Sequence, residues 1–168
     1  GAGTVEFRLD RASLPGGGAF DFLEMNARLL GEHPVTELVT GIDLVEQRLL
    51  ASAGEPPSFD PDAIVMQGHA IEMRVYAEDP KRFFPSPGTI TTWLEPSGPG
   101  VRVDAGYEQG NTVTQYYDPL LAKLCVHGAD RPAAIARARE AVAAFRVEGP
   151  KTNLPFFTEL LEEPAFVS

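Results

Sequence analysis

The sequence predicts an α+β fold, built from antiparallel strands with two helices trailing them. Three observations point to it. Residues 4–9 alternate strictly, with Val5, Phe7 and Leu9 on one side and Thr4, Glu6 and Arg8 on the other. Between residues 68 and 127, short apolar runs are separated by turns rich in Gly and Pro. An alanine-rich stretch at 133–145 follows Asp130, Arg131 and Pro132, which make a helix start.

In chain order, the first strand runs into a turn at 14–18 (Leu14, Pro15 and three glycines), and a second strand over 19–26 returns beside it. The resulting hairpin has a long tip at 11–19. Pro34 starts a helix through Val39, and Gly41 interrupts it. Ile42, Val45, Leu49 and Leu50 then form a helical stripe ending near Gly54. Three prolines make 55–61 a connecting loop, and the domain boundary is placed just before it, near Thr40. Strands are expected at 68–78, 90–94, 101–104 and 120–127, with turns at 85–88, 96–100 and 106–110. The helix at 133–145 buries Ile135, Ala138 and Val142; a strand at 146–148 and a helix over 153–162 complete the chain. No repeat or low-complexity tract is present.

Composition limits the function. The 168 residues carry a net charge of −10, which argues against nucleic acid, whose readers need basic patches. The one cluster of arginines, at 131–139, suits a solvated helix face. No apolar run approaches the roughly 20 residues of a membrane span. The first residues resemble no signal peptide and read as the start of a strand cut from something longer. Cys125 stands alone in an apolar run, so it is read as a small core residue. A cytoplasmic protein follows, with neither a nucleic-acid nor a membrane partner.

The chemistry concentrates between Glu24 and Pro34. If 24–28 is extended, Glu24, Asn26 and Arg28 share one side of a sheet. Glu6, on the neighbouring strand, faces the same space. Two carboxylates and an amide oxygen are hard ligands suited to Mg²⁺, and the planar fork of Arg28 suits phosphate or bicarbonate. Glu32, between Arg28 and His33, has the type and place of a general base. The competing reading is a hairpin with an ordinary polar solvent face. His33 reads as a helix-start residue, and His33, His69 and His127 have no zinc-like spacing.

Glu24, Met25, Asn26 and Arg28, followed by Glu32, His33, Pro34, Val35, Thr36 and Glu37, resemble the signature of biotin carboxylases, which are ATP-grasp enzymes. The likeness continues through His69, Ala70, Ile71, Glu72, Arg74, Tyr76, Ala77, Glu78, Asp79 and Pro80. It goes on through Phe84, Pro85, Ser86, Pro87 and Gly88, through Gly100, Val101 and Arg102, through Tyr117, Asp118 and Pro119, and through Lys151, Thr152 and Asn153. The resemblance implies the C-terminal end of an ATP-grasp domain over 1–40 and a biotin carboxylase C-terminal domain over 41–168. It implies a ligase that uses ATP, Mg²⁺ (or Mn²⁺) and bicarbonate to carboxylate N1′ of biotin on a carrier domain. That is the first half-reaction of a biotin-dependent carboxylase of the acyl-CoA type, such as acetyl-CoA or propionyl-CoA carboxylase in fatty acid biosynthesis.

By the same resemblance, Glu6, Glu24 and Asn26 hold the metal, Arg28 binds bicarbonate or carboxyphosphate, and Glu32 deprotonates bicarbonate. Arg102 stabilises the biotin enolate. Implied partners are the biotin carboxyl carrier domain, the carboxyltransferase component and a second copy in a homodimer. The chain departs from the family at Leu30 and Gly31, where Gln and Val are usual. Leu30 has no polar group for bicarbonate, although the Gly31 N–H still offers a donor, so weaker bicarbonate binding is expected. The family's ATP-binding lysines and glycine-rich lid are not in this sequence, so the isolated chain is expected to be inactive. The alternative is a non-catalytic dimerisation or docking module with a vestigial site.

Overall fold

The structure, a computed structural model, describes residues 3–9 and 19–168; the expected tip of the first hairpin falls almost wholly outside them. By their contacts, residues 1–65 and 66–168 form two compact units.

In the first unit, β1 (Thr4–Leu9) and β2 (Phe20–Asn26) pair antiparallel, with Glu6 opposite Glu24 and Thr4 opposite Asn26. The register shifts between Glu6 and Phe7. Phe7 packs edge-to-face on Phe20 and Phe22, yet the apolar side of the hairpin is about half exposed, Phe7 at 53% and Met25 at 65%. Helix α1 (His33–Thr40) carries Pro34 in its first turn, which the fixed φ of proline suits, and ends on Gly41 at φ +72°, a left-handed cap that a side chain would strain. Helix α2 (Leu44–Ala53) starts at Asp43, whose carboxylate accepts from the Glu46 N–H, and Glu37 reaches across to accept from the Leu44 N–H at 2.7 Å. Gln47 pairs with Ser58 through both ends of its amide, which pins the proline-rich loop.

The second unit is a three-stranded antiparallel sheet in the order β3 (His69–Tyr76), β8 (Leu120–Gly128), β6 (Val101–Ala105). Small pairs flank it: β4 (Gly88–Thr89) with β7 (Thr112–Val113), and β5 (Thr92–Leu94) with β9 (Arg146–Glu148). Alternate side chains leave opposite faces of a strand, so one face of the sheet is apolar: Met73, Val75, Leu124 and Val126 pack with Ile135, Ala138 and Val142 of helix α3 (Arg131–Ala144). Helix α4 (Leu154–Leu160) adds Leu154 and Phe157 to this core, and a single turn, α5 (Pro164–Val167), closes the chain. Each fully buried aliphatic side chain here is worth about 1.5–3 kcal/mol.

The α+β expectation and most strand and helix positions hold, including the Asp130 cap, which accepts from the Ala133 N–H at 2.8 Å. Two expectations do not. The arginines of α3 are not a solvated face: Arg131 donates to the Phe166 carbonyl, Arg137 to that of His127 and Arg139 to that of Leu161. Carbonyls left over at strand and helix ends take these guanidinium donors, which periodicity alone does not reveal. Strand β2 also stops at Asn26, and a bend at 27–28 carries Arg28 out of the extended row.

Candidate active site

In the first unit, the hairpin brings Glu6, Glu24 and Asn26 together. Glu6 and Glu24 are directly opposed across the strands, an arrangement that repels when both are ionised. Asn26 lies between them: its Nδ2 donates to Glu6 Oε1 at 2.9 Å and to Glu24 Oε1 at 3.0 Å. The positive end of an amide dipole thus performs the task a cation performs at such a pair. A half-turn of the carboxamide exchanges Nδ2 for Oδ1, and the three residues then present three oxygen donors. Among the described residues no cluster of three His, Cys, Asp or Glu side chains forms, so the set is two carboxylates and an amide. That donor chemistry fits a hard divalent cation that keeps ligands of its own, such as Mg²⁺.

Arg28 lies just beyond the strand, exposed, with Nη1 donating to the Leu29 carbonyl at 3.1 Å. Glu32 is the N-cap residue of α1 with φ −83° and ψ 7°, and its side chain does not cap the helix. His33 is the first residue of that helix, and Nδ1 lies 2.8 Å from the Leu30 carbonyl, as a helix-start residue should. The turn at Leu30 and Gly31 therefore sets where Arg28 and Glu32 stand relative to β2.

Arg102 belongs to the second unit. It sits on the face of the sheet opposite the core, where Glu72, Cys125 and Arg102 form one row across the three strands and Arg74, Lys123 and Asp104 form the next. Arg102 holds Asp104 through both fork positions, Nε to Oδ1 at 2.7 Å and Nη2 to Oδ2 at 2.9 Å, and Lys123 Nζ lies 3.6 Å from Oδ2. Burial opposes ionisation of Asp104, but the hydrogen bond and charge of Arg102, aided by Lys123, leave its carboxyl below the ordinary value. Cys125 is fully buried, as expected, with its thiol pushed up to about 12 by burial and by the nearby Glu72 and Asp104.

Arg74 belongs to the family-like stretch of the sequence but carries no assigned role there. Its Nε donates to Glu72 Oε1 at 3.1 Å, and that carboxylate is only 6% exposed. Glu72 foremost, with Tyr76 assisting, raises the guanidinium above its ordinary value against the effect of burial. The available signal was the alternation of Glu72, Arg74 and Tyr76 along a strand whose other side is apolar.

Comparison with known proteins agrees with this architecture. Residues 72–168 match the biotin carboxylase C-terminal domain, and residues 1–58 match the ATP-binding domain of the carbamoyl-phosphate synthase L chain. The chain is 50% identical over 165 residues to biotin carboxylase 2 of Bacillus subtilis, covering 98% of this chain and 36% of that protein. It superposes on a biotin carboxylase–ATP-analogue complex from Campylobacter jejuni with a TM-score of 0.92 and 40% identity, over 99% of this chain and 36% of that one. A biotin carboxylase domain of the 2-oxoglutarate carboxylase from Hydrogenobacter thermophilus, in complex with MgADP, ADP and bicarbonate, gives 0.91 at 38% identity, over 98% and 36%. The chain thus spans about a third of the length of these relatives. A family match over more than half of the chain, together with these likenesses across nearly all of it, places the protein in the biotin carboxylase family.

Proposed function

We propose that this chain supplies the bicarbonate- and metal-binding strands, with the C-terminal domain, of a biotin carboxylase. That enzyme uses ATP and bicarbonate to carboxylate N1′ of biotin on a carrier domain. The observation that carries the reading is the convergence of Glu6, Glu24 and Asn26 on one hairpin, with Arg28 and Glu32 following within the next turn. Glu6, Glu24 and Asn26 would hold Mg²⁺, or Mn²⁺, which when bound neutralises phosphate charge during transfer. Arg28 offers its planar donors to the bicarbonate oxygens, and the Gly31 N–H adds a donor. Glu32 accepts the bicarbonate proton as the oxygen attacks the γ-phosphorus, giving carboxyphosphate and ADP. Carboxyphosphate gives CO₂ and phosphate; the phosphate takes the N1′ proton, and the biotin enolate captures CO₂.

An arginine is required for the enolate. Arg102 is the residue that the resemblance implies. A second reading, Arg74, is favoured by one observation: on the polar face of the same sheet its guanidinium is braced by the nearly buried Glu72 carboxylate, with Tyr76 assisting. Such bracing holds a guanidinium ready for an anion at little further entropic cost.

The proposal assigns 1–40 to the end of the ATP-grasp domain and 41–168 to the C-terminal domain. It includes a carrier domain, a carboxyltransferase component and a homodimer as partners, and the cytoplasm as the compartment. Among the described residues no helix is long and apolar enough to cross a membrane. The isolated chain is proposed to be inactive. The test is bicarbonate-dependent ATP hydrolysis, with and without free biotin, by the longer polypeptide that contains this segment. Biotin stimulation that Glu32→Gln abolishes is expected. A folded, ATP-binding protein that biotin does not stimulate would instead mark a vestigial docking or dimerisation module.

A further inference from the structure

The loop between β9 and α4 ends in Asn153, a polar residue that is only 6% exposed. Its side chain is spent entirely on the backbone of β3, 77 or more positions earlier. Oδ1 accepts from the Tyr76 N–H at 2.9 Å, and Nδ2 donates to the Arg74 carbonyl at 3.0 Å. The Asn153 N–H adds a bond to the Tyr76 carbonyl at 3.2 Å. The carboxamide therefore pairs with both sides of Val75 as a neighbouring strand would, at the point where β3 shifts register against β8 between Val75 and Tyr76. A strand that shifts register at its end lacks a regular ladder there, and a one-residue slip would turn every side chain to the other face.

Arg74 stands one residue before Val75, at which the shift begins, and lies opposite Lys123. Its backbone carbonyl is held by Asn153 and its guanidinium by Glu72. From this geometry we infer that Asn153 is a positioning residue for Arg74: it fixes the main chain from which the arginine reaches the polar face of the sheet. The inference rests on the reading that Arg74, rather than Arg102, serves the biotin enolate. Its main-chain contacts distinguish Asn153 from its neighbours. Lys151 Nζ reaches Asp79 at 2.9 Å and the Lys151 N–H reaches Ser86 Oγ at 3.0 Å, so those two bonds hold the loop but do not touch β3.

Asn153→Asp keeps the shape and the acceptor for Tyr76, but it sets an oxygen against the Arg74 carbonyl. A purely structural defect lowers the active fraction and reduces every activity alike. A displaced Arg74 lowers only the biotin-dependent step. The discriminating quantity is therefore the ratio of biotin-stimulated to biotin-independent ATP hydrolysis, which does not depend on how much enzyme is folded. In the full-length enzyme, Asn153→Asp is expected to lower that ratio by about tenfold or more, with the ATP KM unchanged. Arg74→Ala should lower it further, and adding Asn153→Asp to Arg74→Ala should cost nothing more, since coupled residues are not additive. Asn153→Ala serves the same comparison if the aspartate variant does not fold. A ratio that falls with Arg74→Ala but not with either Asn153 variant overturns the inference and leaves the Arg74 reading standing. A ratio unchanged by Arg74→Ala overturns that reading, and the inference with it.

Discussion

Replacing Asp104 by Asn removes one negative charge from between two cations and leaves the volume unchanged. In the native chain that carboxylate receives two hydrogen bonds from Arg102, at 2.7 and 2.9 Å, with Lys123 Nζ at 3.6 Å. The side chain of Lys123 is 14% exposed and those of Arg102 and Asp104 about a third, so screening is partial. A hydrogen bond to a charged group contributes about 1.5–3 kcal/mol when well buried; solvent and the acceptor that Asn retains reduce this to about 1–2 kcal/mol. Urea unfolding at pH 7 should show that loss as a lower midpoint at an unchanged slope. The pH dependence is the sharper test. The folded carboxyl titrates below its unfolded value, which is about 4. Its contribution is therefore complete above that value and is lost as pH falls through the depressed folded value. Native and variant stabilities should converge as pH falls below about 4. A gap that does not shrink as pH falls below about 4, or is absent at pH 7, would refute the assignment of Asp104 as the electrostatic centre of this face.

Two further outcomes are expected. In the full-length enzyme, Leu30→Gln should lower the bicarbonate KM by a few fold with the ATP KM unchanged, because one side-chain hydrogen bond to an anion is worth about 1 kcal/mol or more; an already ordinary bicarbonate KM, unmoved by the substitution, would show that Leu30 impairs nothing. Gly149→Ala should destabilise the second unit by at least about 2 kcal/mol, since φ is +110° and a Cβ there would sit 2.0 Å from the Thr89 carbonyl oxygen. A native melting temperature in that variant would refute the close approach of the two segments.

How much of this was legible in the sequence depends on the kind of signal. Strand alternation and the Asp130 cap were local, and both were read correctly. The stop of β2 at Asn26 was not, because Ala27 and Arg28 carry no proline or glycine to mark a bend. Strands β4 and β7 are two residues each, too short for any period to register. The arginines of α3 were misread because helical spacing says which side a residue faces but not what it meets. Their partners are carbonyls at His127, Leu161 and Phe166, settled only by tertiary packing. Glu6, Glu24 and Asn26 were legible because a hairpin brings strand neighbours together at predictable spacing. The Arg102–Asp104 pair lies two residues apart on one strand and was open to the same reasoning, yet only the arginine was noticed.

The motifs that made the family recognisable after residue 68 divide by what their side chains do. Asp118 accepts from the Leu120 N–H, and the neighbouring Pro119 carbonyl accepts from the Ala77 N–H. The Phe84 carbonyl accepts from the Asp79 N–H, and the Ser86 N–H donates to the Ala77 carbonyl. Ser86 Oγ accepts from the Lys151 N–H, Asp79 binds Lys151, and Asn153 binds the main chain of Arg74 and Tyr76. Three distant blocks thus meet at one place, the C-terminal end of β3. Lys151 and the N–H groups of Arg82 and Lys81 hold the Asp79 carboxyl well below its ordinary range, as befits a charge fixed within a staple. A likeness carried by these blocks reports on how β3 is anchored. The proposed chemistry rests on a smaller set, the side chains of the first hairpin and its turn and an arginine on the polar face of the sheet. A variant that keeps every clamp but loses Glu32 should therefore keep the fold and the family likeness while losing the reaction.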